Sequence, residues 1–96
     1  MSTESAFEQE ESLLNAHMNA IQENAEMLTE EGKLLARVQG EDVVDYDIDA
    51  YASRLDQILA RKVSMIQDLR NQLTVFRQNL QAEEQASNRV AKAYAY

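Results

Sequence analysis

The chain has 96 residues, a formal net charge of −8, and neither cysteine nor proline. At this length it forms at most one small domain, and without cysteine it has no disulfide framework, thiol nucleophile or cysteine-ligated zinc site. The acidic charge argues against a nucleic-acid partner. A membrane partner is not expected either, because no apolar run approaches the roughly 18 residues that span a bilayer and the N-terminus lacks the features of a signal peptide.

The first predicted element is an acidic helix over residues 1–38. An apolar residue returns in it at every seventh position, and other apolar residues flank this repeat. The resulting stripe is wide, which is typical of a helix in a bundle rather than of a narrow coiled-coil seam. The residues of the repeat are Phe7, Leu14, Ile21, Leu28 and Leu35.

Residues 39–44 are predicted to form a turn. Gly40 suits the left-handed position that ends many helices, and Asp42 or Asp45 is placed to cap the helix that follows. A short connection between two long helices favours antiparallel packing. The alternative is one interrupted rod in a parallel coiled coil, bent at Gly40.

The second predicted element is a long helix over residues 45–93, followed by a frayed end at 94–96. Two rows of residues recur in it with heptad spacing, which keeps one side of a helix facing a partner. Both rows end at about Leu80, so the last turns overhang the hairpin. One row is Ile48, Leu55, Lys62, Leu69 and Phe76, and the other is Ala52, Leu59, Ile66, Leu73 and Leu80.

A third row beside these two, Tyr51, Ile58 and Met65, makes the apolar surface too wide for one partner helix. We therefore expect an all-α antiparallel two-helix hairpin that dimerises into a coiled coil or four-helix bundle. Lys62 would set the pairing specificity or extend to solvent. The predicted interface residues are Tyr51, Leu55, Ile58, Leu59, Lys62, Met65, Ile66, Leu69, Leu73, Phe76 and Leu80.

The charge is divided unevenly between the two halves of the chain. Residues 1–47 contain twelve acids and two bases, a net charge of −10, whereas residues 48–96 contain five acids and seven bases, a net charge of +2. This asymmetry favours packing of the halves side by side. The arginines on the outside of helix two would pair with acids of helix one or form a basic edge for an acidic partner. They are Arg54, Arg61, Arg70 and Arg77.

No group of residues predicts catalysis, a cofactor or a metal site. The aspartates of segment 45–56 are spaced like the start of a calcium-binding loop, but Ala50 and Asp56 replace the glycine and glutamate that such a loop uses. His17 is the only histidine, which is poor support for a metal site, and no carboxylates are paired for acid–base chemistry. We expect a protein that is not an enzyme.

Residues 44–87 join an acidic, aromatic opening to a heptad run and an acidic end. The residues concerned are Val44-Asp45-Tyr46-Asp47-Ile48-Asp49, Tyr51-Ala52, Leu55, Ile58-Leu59, Lys62, Leu69-Arg70, Phe76-Arg77, Leu80 and Glu83-Glu84-Gln85-Ala86-Ser87. This segment resembles the C-terminal tail of the kinesin-13 family, the microtubule-depolymerising kinesins with an internal motor.

The resemblance implies a non-catalytic tail that dimerises, regulates the motor and takes part in targeting. It implies a homodimer, with the motor domain of a kinesin or another helical or cytoskeletal protein as further partner. The implied location is cytoplasmic and cytoskeleton-associated, at microtubules, spindle or centrosome. The sequence contains no phosphate-binding loop of a motor domain. The alternative is a stand-alone helical adaptor that binds a partner helix or a cytoskeletal protein.

Overall fold

The computed structural model describes residues 6–40 and 48–94, with side chains described as far as residue 91. This part of the chain consists of two helices, α1 over Ala6–Gln39 and α2 over Ile48–Tyr94. The predicted all-α class is therefore confirmed. The capping candidates Asp42 and Asp45 lie outside the described residues.

The two helices pack side by side in opposite directions. Gln9, near the start of α1, accepts a hydrogen bond from Asn79, late in α2, and Glu30 is paired with Arg54, early in α2. The antiparallel hairpin is thus confirmed, and the bent rod is excluded. The molecule is elongated, measuring 81 × 26 × 17 Å.

Helix α2 is the longer element, with 47 residues against 34 in α1. Because Asn79 is level with Gln9, the last turns of α2 run past the first turn of α1. Every residue over 81–91 is accordingly exposed. The predicted overhang is present as helix, with no second helix beside it in the described part of the chain.

Charges at the helix ends agree with the helix dipole. Glu8 lies in the first turn of α1, Arg37 in its last turn, and Asp49 in the first turn of α2, and each sign is stabilising at that position. The left-handed conformation predicted at Gly40 is wrong, because no described glycine has a positive φ. The Gly40 N–H instead donates to the Arg37 carbonyl oxygen at 3.4 Å, which tightens the last turn of α1.

The inner face of the hairpin is narrow and only partly apolar. Among the described residues only Leu13 and Ile58 are buried, with 8% and 3% of their surface exposed. The other inward positions are half-buried and include several polar side chains. On α1 the inward line is Gln9, Leu13, Ala16, Ala20, Glu23, Met27, Glu30 and Leu34, and on α2 it is Tyr51, Leu55, Ile58, Lys62, Met65, Leu69, Gln72, Phe76 and Asn79.

Candidate association surface

The most apolar face of the hairpin is on its outside. The repeat Phe7 to Leu35 of α1 is 47–72% exposed, and the row Leu59 to Leu80 of α2 is 41–54% exposed. Both rows keep the seven-residue spacing that normally marks a buried helix face. An exposed apolar surface of this length on a small protein indicates a site for another macromolecule.

Both rows lie on the same side of the hairpin. Each row follows an inward position by one residue, as Leu14 follows Leu13 and Leu59 follows Ile58. One residue is a rotation of about 100° around the helix axis. Both helices are right-handed, run in opposite directions and face each other. A rotation of about 100° from the inward position, taken along the chain in each helix, therefore brings both rows to the same side of the hairpin.

The two rows are also level with each other. The cross-helix bonds Asn79–Gln9, Arg61–Glu23 and Arg54–Glu30 fix how the helices are aligned. That alignment forms five rungs, which we name the apolar ladder. Its rungs are Phe7 with Leu80, Leu14 with Leu73, Ile21 with Ile66, Leu28 with Leu59, and Leu35 with Ala52.

The opposite flank of the hairpin is charged. The Arg54 guanidinium donates two hydrogen bonds to the Glu30 carboxylate, one at 2.8 Å, and Arg61 makes the same fork to Glu23, with one bond at 3.0 Å. Both residues of each pair are at least one-third exposed. Hydrogen bonding to arginine lowers the pKa of Glu23 and of Glu30 below the ordinary value.

On the ladder side, the described residues form one cross-helix ion pair. The Lys62 ammonium donates to the Glu31 carboxylate at 2.6 Å, and both side chains are 21% exposed. Lys62 is therefore paired within the chain instead of reaching into solvent. Arg54 and Arg61 pair with α1, whereas Arg70 and Arg77 have no ion pair among the described residues.

Seven of the predicted interface residues are covered by α1. They line the inner face of α2, so the third row of the sequence pattern is part of the hairpin and not an extra surface. Four predicted residues remain outward, and they form most of the α2 side of the ladder. The covered residues are Tyr51, Leu55, Ile58, Lys62, Met65, Leu69 and Phe76, and the outward ones are Leu59, Ile66, Leu73 and Leu80.

The α1 half of the ladder was absent from the predicted interface. Its residues are the seven-residue repeat of helix one, which the sequence predicts to be an apolar stripe of a bundle helix but not part of the interface. The signal was available: a second, outward line in α1 passes through Leu14, Met18, Ile21, Ala25 and Leu28 in steps of four and three. Such a line predicts a second helix-packing face.

Within the described helices, no reactive centre accompanies this surface. The described residues contain no group of three or more His, Cys, Asp or Glu side chains that could hold a metal ion, and His17 is exposed. A shallow groove of about 360 Å³ lies on the charged flank, between Ser12 and Val75. Among the described helices, none is both long and apolar enough to cross a membrane.

The fold and its surface define a class of protein: an all-α helical hairpin whose described residues leave an apolar face exposed on one side. Its two-helix architecture is not that of a catalytic motor domain. No family model and no solved structure matches the chain.

Relatives among the kinesins match most of the chain. Diatom spindle kinesin-1 of Cylindrotheca fusiformis is 42% identical over 87 residues, which are 91% of this chain and 14% of that protein. Kinesin-like protein KIN-13B of Arabidopsis thaliana is 34% identical over 74 residues, which are 77% of this chain and 10% of that protein. The chain thus spans a seventh or less of each relative's length, and the matches support a kinesin-related region.

Proposed function

We propose that this chain is a non-catalytic module that holds two copies of a kinesin-related protein together through the apolar ladder. The observation that carries the proposal is the alignment of two exposed apolar rows on one side of a hairpin in which, among the described residues, only Leu13 and Ile58 are buried. Packing the ladder against a second hairpin would remove from water the apolar surface that the chain leaves exposed.

The area of the ladder suits a stable dimer. From Phe7 to Leu35 the face is about 42 Å long at 1.5 Å per residue, and two adjacent helices are about 20 Å wide. The product is roughly 800 Å² per copy, which is the amount that each partner buries in a typical stable protein interface.

The kinesin relatives suggest where such a module acts. We propose that it is the tail of a microtubule-depolymerising kinesin, that it regulates the motor domain of that protein, and that it is found with the cytoskeleton. The matches to a diatom spindle kinesin and to KIN-13B support the kinesin-related and cytoskeletal parts of this proposal. The charged flank and the α2 overhang remain available to a motor domain when the ladder is occupied.

The test is the solution mass of the chain, by size-exclusion chromatography with light scattering. We expect a dimer, and we expect Leu59→Asp with Leu73→Asp to give a monomer, since a carboxylate on the ladder would have to be desolvated. Val75→Asp is the matched control, because Val75 is 55% exposed but lies on the other flank. A wild-type monomer at high concentration would exclude dimerisation.

The same measurement of solution mass distinguishes the adaptor hypothesis from the dimerisation hypothesis. A monomer that forms a complex of defined mass with the motor domain of a depolymerising kinesin would favour an adaptor over a dimerisation module. For motor regulation, the ATPase rate of that motor domain is measured with and without the dimeric chain. No change in rate and no complex would exclude a regulatory role.

A further inference from the structure

The apolar ladder is bordered by charges that the hairpin leaves unpaired. Glu10 follows the inward Gln9 by one residue and so lies on the ladder side of α1, with Glu11 at the outer edge of the ladder; Arg70 and Arg77 follow inward residues of α2 by one residue and lie on its ladder side. None of the four forms an ion pair among the described residues. The hairpin alignment sets Glu10 level with Arg77, so the open end of the ladder has an acidic edge on one helix and a basic edge on the other.

We propose that the second copy docks with its turn at the same end, so that α1 of each copy lies on α2 of the other. This arrangement rests on the proposed dimerisation. A two-fold axis along the hairpin produces it, and every helix is then antiparallel to its neighbours. Leu14 of one copy meets Leu73 of the other, and Glu10 and Glu11 meet Arg77 in two equivalent contacts at the open end, one on each side of the two-fold axis.

The reverse arrangement, with the turns at opposite ends, matches the charges poorly. Its two-fold axis crosses the ladder at the Ile21–Ile66 rung and stacks α1 on α1 and α2 on α2. Glu11 would then approach Glu31 of the second copy, and Arg70 would approach Lys62. Like charges brought together at an interface oppose association, and α1 is the acidic helix throughout. The same-end arrangement sets Glu31 level with Asp56 of the second copy, but Glu31 is already paired with Lys62. Because α1 is acidic and α2 is net basic as far as Leu80, stacking α1 on α2 still matches the charges better than stacking each helix on its own kind.

A charge-swap experiment tests this pairing. In the same-end dimer, Glu10→Arg with Glu11→Arg places positive charge against Arg77, and Arg77→Glu places negative charge against Glu10 and Glu11. Each variant alone should associate roughly three- to thirty-fold more weakly, the effect expected for two exposed charge contacts per dimer. Mixing the two variants should restore wild-type affinity, because both contacts of the mixed dimer are then complementary. Circular dichroism of each variant checks that the helices remain folded.

The absence of cysteine allows a direct distance measurement on the full chain. A spin label at Ala36→Cys, an exposed site off the ladder, should give an intermolecular distance below about 30 Å, since the two α1 helices lie diagonally in a bundle with neighbours 8–10 Å apart. The opposite-end arrangement gives about 45 Å instead.

A distance near 45 Å, or unrestored affinity of the mixed charge variants, would overturn the same-end arrangement while dimerisation stands. The absence of any intermolecular distance at high concentration would overturn dimerisation itself. Ser53→Cys on α2, which is also exposed, repeats the measurement from the other helix. It should give a short distance as well, against about 39 Å for the opposite-end arrangement.

Discussion

Glu30 and Glu31 are neighbours in α1 but pair with opposite flanks of α2. Glu30 accepts from Arg54 on the charged flank, and Glu31 accepts from Lys62 on the side of the apolar ladder. Two adjacent residues are about 100° apart around a helix, so Glu30 lies on the inward line toward the charged flank and Glu31 lies on its ladder side. Together the two bonds fix the rotation of α1 against α2, and with it the side on which the ladder lies.

The ion pairs of the charged flank predict a loss of stability in acid. Hydrogen bonding to arginine lowers the pKa of Glu23 and of Glu30 in the folded chain. Their contribution is therefore fully present above the ordinary glutamate pKa of about 4.3, and it is lost as the pH falls through the lower folded values. Urea midpoints followed by circular dichroism should be similar at pH 6 and pH 5 and fall between pH 4 and pH 2.

The variant Glu23→Gln with Glu30→Gln is the control for this pH dependence. It removes the two titrating groups and keeps the side-chain size, so its midpoint should fall less over the same acid range. An equal fall in wild type and variant would show that other carboxylates cause the acid effect.

The Lys62–Glu31 pair predicts a strong difference between single and double substitutions. Glu31→Leu alone leaves the half-buried Lys62 ammonium without its partner and should lower the free energy of unfolding by about 1 kcal/mol. Glu31→Leu combined with Lys62→Leu should restore or exceed the wild-type value, because an apolar pair of similar size replaces the ion pair. Urea unfolding of the two single variants and the double variant measures this coupling. A double variant as unstable as the sum of the single ones would contradict it.

Ile58 and Leu59 are adjacent and predict different effects of the same truncation. Ile58 is 3% exposed and Leu59 is 45% exposed. Ile58→Ala removes a core contact and should lower the free energy of unfolding by about 2–4 kcal/mol. Leu59→Ala removes a ladder contact and should mainly weaken association, which makes the melting temperature more dependent on protein concentration. Melting curves at several dilutions separate the two effects, and the same change in both variants would argue against an outward Leu59.

Gly32 predicts a stabilising substitution. A Cβ added at this position would meet nothing within 4 Å, and glycine inside a helix costs about 0.5–1 kcal/mol relative to alanine. Gly32→Ala should therefore raise the free energy of unfolding of the hairpin by that amount, measured by urea unfolding at a concentration where the chain is monomeric. A destabilised variant would mean that another segment packs against this site.

The heptad repeats and the glycine-containing break were enough to predict the hairpin. Apolar residues at steps of three and four specify an amphipathic helix whatever its partner, and two long helices with a short connection between them pack antiparallel. The sequence also predicts more apolar surface than one hairpin covers, because α2 has three adjacent apolar rows. These rows contain Leu55, Leu59 and Tyr51, respectively. Each of these features depends on residues that are close together in the sequence, so the sequence alone is enough to predict it.

Which row faces inward could not be predicted, because three adjacent rows of α2 share the same spacing and differ only by rotation about the helix axis. That rotation depends on contacts between residues far apart in the chain, such as Arg54 with Glu30 and Asn79 with Gln9. When the inward lines of the two helices pack against each other, the α1 repeat that begins at Phe7 faces away from α2. It then lies level with the α2 row that ends at Leu80. The side of the molecule that is free to bind is thus a property of the packed pair of helices, since neither helix alone specifies the angle at which it meets the other.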